Sequence, residues 1–207
     1  AEEHLAENYG DKDFVVEEVT YDFKTGGYYA RVTSPTSIDS HFSLSFNWLG
    51  KLVLDCYDDV TTGWNTAMRL EDDYRNAVKA VTESKDFSEK YFIAYGEIPC
   101  VLSDYPIDEE HPEYALQKEE LVIDKIYDIK EVASQHGKLV LYACDEEVTH
   151  ERLAELLLDV KNKFDNSGVT FKAVDFVLEP PKEEGQPLMS DEQIKIRNFY
   201  YSEIYED

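Results

Sequence analysis

The feature that most constrains this chain is a change of hydrophobic period about a third of the way along it. In residues 41–48, Phe42, Leu44, Phe46 and Trp48 alternate with His41, Ser43, Ser45 and Asn47. A period of two puts the first set on one face of a strand and the second on the other, as in a half-buried antiparallel sheet. The same rhythm predicts strands over residues 13–23, 28–33 and 51–58. Within the first of these the phase slips between Phe14 and Val16 and the later Val19, Tyr21 and Phe23, which predicts a β-bulge. Thr25-Gly26-Gly27 supplies a hairpin turn and Leu49-Gly50 another. Residues 34–40, Ser-Pro-Thr-Ser-Ile-Asp-Ser, read as an exposed loop. A short amphipathic helix, with Leu5 and Tyr9 one turn apart and Gly10 as its stop, precedes the strands.

From Thr66 the period becomes helical, because Leu70, Tyr74, Ala77, Val78 and Val81 recur three and four residues apart. Glu71, Asp72 and Asp73 lie in its N-terminal half, where acids suit the helix dipole. This helix is expected to cover one face of the meander. Helix, four strands and helix give an α+β fold class for residues 1–102, an antiparallel four-stranded meander with flanking helices of cystatin-like or PepSY-like character. Phe87, Tyr91, Phe92, Ile93 and Tyr95 suit a helix or an edge strand equally. Residues 103–112, rich in proline and acid and without periodicity, read as a linker.

In residues 113–207 strands and helices alternate. Leu121-Val122-Ile123 reads as a strand. Residues 128–136 read as a helix with Ile129, Val132 and Ala133 on one face, opened by Asp128 with Glu131 three residues on and stopped by Gly137. Residues 139–144 are a short apolar run that reads as a buried strand. Thr149 opens the clearest helix, which turns Leu153, Leu156, Leu157, Val160 and Phe164 inward and stops at residues 166–168. A strand over 169–178 halts at Pro180-Pro181, a loop runs through 185–187, and a last strand covers 194–201. The expectation is a second domain, a mixed α/β sheet with helices on one face.

Composition narrows function by exclusion. The chain of 207 residues carries 45 acidic against 20 basic side chains, a net charge of −25, and so repels phosphate backbones and anionic headgroups. Nucleic-acid binding and electrostatic adsorption to membranes are disfavoured. Hydrophobic residues at 43% and aromatics at 13% are too many for a disordered acidic tail. No apolar run approaches the roughly 20 residues that span a bilayer. Cys56, Cys100 and Cys144 are odd in number, far apart and without Cys-x-x-Cys spacing. They are expected to be structural thiols, Cys56 and Cys144 in strands as small buried hydrophobes, with one disulfide plus one thiol as the alternative.

The residues that invite a chemical role each have a plainer one. Asp55, Asp58 and Asp59 follow a strand and offer oxygen ligands, but lack the central Gly and bidentate Glu of an EF-hand. Asp108, Glu109, Glu110 and His111 read as solvated acids between prolines. Cys144 and His150 are the one Cys/His pair close in sequence, yet Asp145, Glu146 and Glu147 disfavour a thiolate. His41 falls on the polar face of its strand and His136 at a helix C-terminus. Neither a nucleophile elbow, nor a phosphate-binding glycine loop, nor a dinucleotide fingerprint occurs. No catalytic, metal or cofactor residue is assigned. Tyr28, Tyr29, Tyr57, Tyr200, Tyr201 and Tyr205, with Phe199, would form a contact surface if exposed together.

Several runs carry a family resemblance. Ala6-Glu7-Asn8-Tyr9-Gly10, Phe14-Val15-Val16, the stretch from Tyr21-Asp22-Phe23 to Gly26-Gly27-Tyr28, Ser34-Pro35, His41-Phe42, Asn65-Thr66 and Arg69-Leu70 resemble the YfjL-like family. So do Asp124-Lys125-Ile126-Tyr127-Asp128-Ile129, Gly137-Lys138-Leu139, and the helix from Glu151 leading to Gly168-Val169-Thr170-Phe171. The resemblance implies an exported or membrane-anchored protein of Gram-positive bacteria, held by an N-terminal hydrophobic segment or lipoprotein signal, which would suit a chain opening at Ala1. It implies no catalytic residue. The expected function is a non-enzymatic binding or interaction module of the cell envelope, with a protein or envelope component as partner and no nucleic acid. The alternatives are a hydrolase or metal-dependent enzyme at an inter-domain cleft, and a PepSY-like inhibitory module.

Overall fold

The segments of period two pair in sequence order. In the computed structural model, which describes residues 1–84, 87, 91–102, 107–181 and 192–205, β1 (Val15–Asp22), β2 (Gly27–Ser34), β3 (Ser37–Phe46) and β4 (Leu52–Asp55) form an antiparallel sheet in the order β1-β2-β3-β4. The expected bulge is present, as the β1 register shifts between Val16 and Glu18. Ala30 lies opposite Leu44 and Val32 opposite Phe42, so these four side chains share one face and are buried. Leu5 of α1 (Glu2–Asn8) and Val60 of α2 (Asp58–Thr61) join them in one core cluster. Tyr9, Phe14, Phe42 and Tyr57 close its edge with ring centroids 4.6 to 5.8 Å apart.

Residues 34–40 are not an exposed loop. β2 runs to Ser34 and β3 begins at Ser37, and Asp39 inside that strand is 1% exposed. Its carboxylate accepts hydrogen bonds from Arg69 Nε at 2.7 Å and Nη2 at 2.8 Å, from Thr66 Oγ1 at 2.9 Å and from the Asp124 backbone N–H at 2.9 Å. Asp124 answers with its own carboxylate, which accepts from Ser37 Oγ at 2.8 Å and from the Asp39 N–H at 3.1 Å. Arg69 also reaches the Lys125 carbonyl, and Asn65 Nδ2 donates to the carbonyls of Asp39 and His41. The segment expected to hold a strand at 121–123 is therefore a turn-rich stretch tied to β3. Val122 and Ile123 stay exposed in it, and Asp124 sits at a φ of 65°, a left-handed conformation that Asp tolerates better than most residues.

The chain divides into two compact units. The first comprises Ala1–Arg69 with Gln117–Ile126, the second Leu70–Leu116 with Tyr127–Asp207. The division falls inside α3 (Trp64–Thr82). Residues 70–102, expected to close the first domain, thus cluster with the second unit, and residues 103–106 of the expected linker and the loop at 185–187 lie outside the described residues.

After α3 come β5 (Tyr91–Glu97), the short paired strands β6 (Cys100–Val101) and β7 (Leu116–Gln117), α4 (Ile129–His136), β8 (Lys138–Cys144), α5 (His150–Ser167), β9 (Ala173–Glu179) and β10 (Ile194–Tyr200). The second sheet has the order β10-β9-β8-β5, with β8 and β9 parallel and the outer pairs antiparallel. It is mixed, as expected, but β5 takes the place foreseen for residues 121–123. Both helix starts read from the sequence hold: Asp128 accepts the Lys130 N–H and Thr149 Oγ1 the Arg152 N–H, at 3.0 and 3.1 Å. Leu139 and Leu141 of β8 and Val174, Phe176 and Leu178 of β9 are fully buried, as are Val160 and Phe164 of α5.

The apolar stripe of α3 serves this second sheet rather than the meander. A Cβ built on Gly96 of β5 would stand 2.7 Å from Tyr74 Cε1 and 2.8 Å from Val78 Cγ2, so α3 lies on the strand where a side chain is missing. Tyr74 is fully buried and its hydroxyl donates to the Thr170 carbonyl at 3.2 Å. Replacing Gly96 by Val is expected to cost about 2 kcal/mol or more through overpacking, read from urea unfolding.

Burial alone would raise the Asp39 carboxyl, but the hydrogen bonds from Arg69, Asp124 and Thr66, with the Arg69 charge, hold it below its ordinary value. Asp39→Asn is expected to cost about 3 kcal/mol at pH 7, because the Arg69 guanidinium loses the buried carboxylate that faces two of its N–H groups. A depressed folded-state pKa stabilises above the unfolded value and is lost as pH falls through the folded one. The margin between wild type and Asp39→Asn should therefore be full at neutral pH and shrink below about pH 4, measured by unfolding at a series of pH values.

Candidate functional site

Alternation along β8 sends Leu139, Leu141 and Ala143 into the core and leaves Lys138, Val140 and Tyr142 on the other face. Pairing then sets their neighbours. Glu97 lies across from Lys138 and Tyr95 from Val140 on β5, Asp175 beside Val140 and Val177 beside Tyr142 on β9, and Lys195 across from Val177 on β10. These side chains, with Arg197, line a recess of about 200 Å³.

Lys138 is 12% exposed, with its Nζ 2.7 Å from Glu97 Oε2 and 3.6 Å from Asp175 Oδ2. Val140 and Val177 beside it are buried. Asp175 has a second duty, accepting the Asn198 N–H at 2.7 Å. Asn198 stands at a φ of 49° where the β10 register shifts between Ile196 and Phe199, so the carboxylate that faces Lys138 also pins the irregularity in β10. Tyr114 donates to Asn198 Oδ1 at 2.6 Å, and its phenol is pushed up by burial and then by the charge of Asp175. Burial and the nearby Glu97 carboxylate likewise raise Tyr95. Arg197 pairs with Glu109. Lys195 is exposed and makes no ion pair among the described residues. The recess thus presents an apolar wall, two phenols, an internally neutralised lysine and one cation with its valence open.

The residues singled out from the sequence go elsewhere. Asp55 accepts from His4 Nε2 at 2.8 Å, Tyr9 OH at 2.7 Å and the Tyr57 N–H at 3.0 Å. Burial would raise this carboxyl, and those hydrogen bonds lower it below its ordinary value. Asp58 and Asp59 lie in the first turn of α2. Asp108 holds the backbone N–H groups of Glu110 and His111 in a turn. Among the described residues no three His, Cys, Asp or Glu side chains gather as a group that could hold a metal ion. No disulfide joins the three cysteines. Cys144 is exposed rather than buried, because it ends β8 in the phase of Lys138, Val140 and Tyr142. His136 at the end of α4 meets the Tyr114 carbonyl at 2.8 Å, and the His41 carbonyl serves Asn65.

Within neither unit do the tyrosines gather into one surface. Tyr28 and Tyr29 point to opposite faces of β2, Tyr57 packs in the first core, and Tyr200 faces Tyr114 at 5.9 Å. Tyr201 packs on Phe171 under the Lys161 ammonium, Phe199 lines a shallow apolar dip with Leu153 and Leu157, and Tyr205 is exposed. The recess residues Glu97, Lys138, Asp175 and Lys195 were not singled out from the sequence. The readable signal was the alternation of Lys138, Val140 and Tyr142 inside an apolar run.

The family model of the YfjL-like C-terminal domain matches residues 73–207, more than half of the chain. The chain belongs to this family. No curated protein and no solved structure matches it. The YfjL-like match begins within α3, close to where the second unit begins, and contains every residue of the recess.

Lys138→Met should leave Glu97 and Asp175 without their shared cation and cost about 2 kcal/mol, whereas Glu97→Gln added to it should restore part of the loss. A double-mutant cycle by urea unfolding reads the coupling.

Proposed function

We propose that this YfjL-like chain is a non-enzymatic binding module whose ligand enters the recess on the second sheet and is held by an acidic group on an apolar stem. The observation that carries the reading is Lys195, an ammonium with no ion pair among the described residues, beside the apolar wall of Val140 and Val177. A carboxylate on Lys195 would leave the Lys138 pairing intact and let the stem lie against that wall and the rings of Tyr95 and Tyr142. With Arg197 paired to Glu109, Lys138 and Lys195 balance Glu97 and Asp175, so the recess is near neutral in a chain of net charge −25 and a small anion is repelled there less than elsewhere. The same overall charge supports the exclusion of nucleic acid as a partner.

The packing of α1 on the four-stranded meander supports a cystatin-like or PepSY-like reading of the first unit. The family resemblance supports an extracytoplasmic place in a Gram-positive envelope, with anchoring by a segment outside this sequence. No described helix is long and apolar enough to cross a membrane.

Titration with N-acetylphenylalanine, which carries a carboxylate on an aromatic stem, is expected to shift the backbone NMR signals of Val140, Val177 and Lys195, and Lys195→Glu should abolish the shifts. No shift in wild type, or equal shifts in the variant, would overturn the assignment.

A further inference from the structure

In an antiparallel meander the β1–β2 and β3–β4 turns emerge at the same end of the sheet, and here both carry large apolar side chains outward. Phe23 is 89% exposed in the first turn, and Trp48 and Leu49 are 72% and 69% exposed in the second. The two turns abut, since a Cβ on Gly27 would stand 2.5 Å from the Phe46 carbonyl oxygen. Just below them Tyr21, Tyr28, Phe46 and Leu52 lie in register across all four strands on one face. Tyr21 stands 5.0 Å from Phe23 and 5.1 Å from Tyr28, and both tyrosines are well exposed. This end of the first unit is an apolar tip with an aromatic belt beneath it.

We infer that this end of the meander inserts into the interface of a lipid bilayer. The shape is that of a wedge: Phe23, Trp48 and Leu49 sit on two convex turns, where a protein partner would need a matching hole and a bilayer needs none. Turn backbones are satisfied from within. Asp22 accepts the Lys24 N–H and Thr25 Oγ1, and Asn47 Oδ1 accepts the N–H groups of Leu49 and Lys51, so few bare polar groups enter with the side chains.

Charge fits the same occupant. The tips hold Lys24 and Lys51 against Asp22, and neither lysine makes an ion pair among the described residues, which makes this end net positive on a chain of net charge −25. Lysines flanking buried aromatics reach lipid phosphates at headgroup level, and Trp and Tyr favour that depth. Because insertion is driven by apolar burial, the acidic body does not forbid it on a zwitterionic membrane. This surface is separate from the recess and does not depend on the ligand proposed there.

The probe is vesicles of phosphatidylcholine alone and with phosphatidylglycerol added. Trp64→Phe leaves Trp48 as the one tryptophan of the chain. Its emission is expected to shift to the blue on phosphatidylcholine vesicles and to be quenched by brominated acyl chains. F23S/W48S/L49S, which changes only exposed positions, is expected to keep its circular dichroism and to lose partitioning by on the order of a hundredfold. Absence of the blue shift, pelleting undiminished in the triple variant, or binding confined to vesicles with phosphatidylglycerol would each overturn the inference. Self-association of the wild type without vesicle binding, abolished in the triple variant, would assign the tip to a second copy and overturn it too.

Discussion

Asp39 is the carboxylate on which the first unit depends. Buried on β3, it spends both oxygens on Arg69, adds Thr66, and takes the backbone N–H of a residue 85 positions later. The chain leaves the first unit after Arg69 and returns to it from Gln117 to Ile126, and the return segment is secured by polar contacts rather than by strand pairing. Such an arrangement is costly unless complete, since a buried charge without its full set of partners destabilises strongly. Completeness is visible here in the reciprocal bonds between Asp39 and Asp124 and in the left-handed backbone that Asp124 accepts to make them.

The second unit rests on steric rather than electrostatic definition. Gly96 admits Tyr74 and Val78 to the strand surface, and the two-residue period of β8 then divides its side chains into core and recess. Because β8 is central and its neighbours contribute one charged group each, the recess follows from sheet order. Glu97 and Asp175 come from β5 and β9, the two neighbours of β8, which are far apart in sequence, and Lys195 comes from β10 beyond β9. The family match over residues 73–207 covers this arrangement and, of the Asp39 network, takes in Asp124 and Lys125 but not Asp39, Thr66 or Arg69.

What was legible in the sequence was whatever a local period writes. Phe42 and Leu44, the Gly26 turn, the slip in β1, and the caps at Asp128 and Thr149 all express interactions within a few residues. Asp39 was not legible, because its partners Arg69 and Asp124 are 30 and 85 residues away and a Ser-Pro-Thr-Ser stretch looks like any loop. Leu121-Val122-Ile123 suggested a strand by composition, whereas the turn at Asp124 and its bonds to β3 decided otherwise. α3 was assigned to the wrong sheet because periodicity reports that a helix has an apolar face, not what it faces. Cys144 was misjudged by one step of phase. The recess escaped notice because each of its charged residues, taken alone on its strand, is an ordinary surface group.

Native-state hydrogen exchange at the Asp124 amide tests the account most directly. That N–H donates to a carboxylate that is itself buried, although Asp124 belongs to no helix or strand. The account predicts strong protection at neutral pH, lost in Arg69→Met, with β3 amides following the same change. Exchange of the Asp124 amide at the rate of an unstructured peptide in the wild type would contradict it.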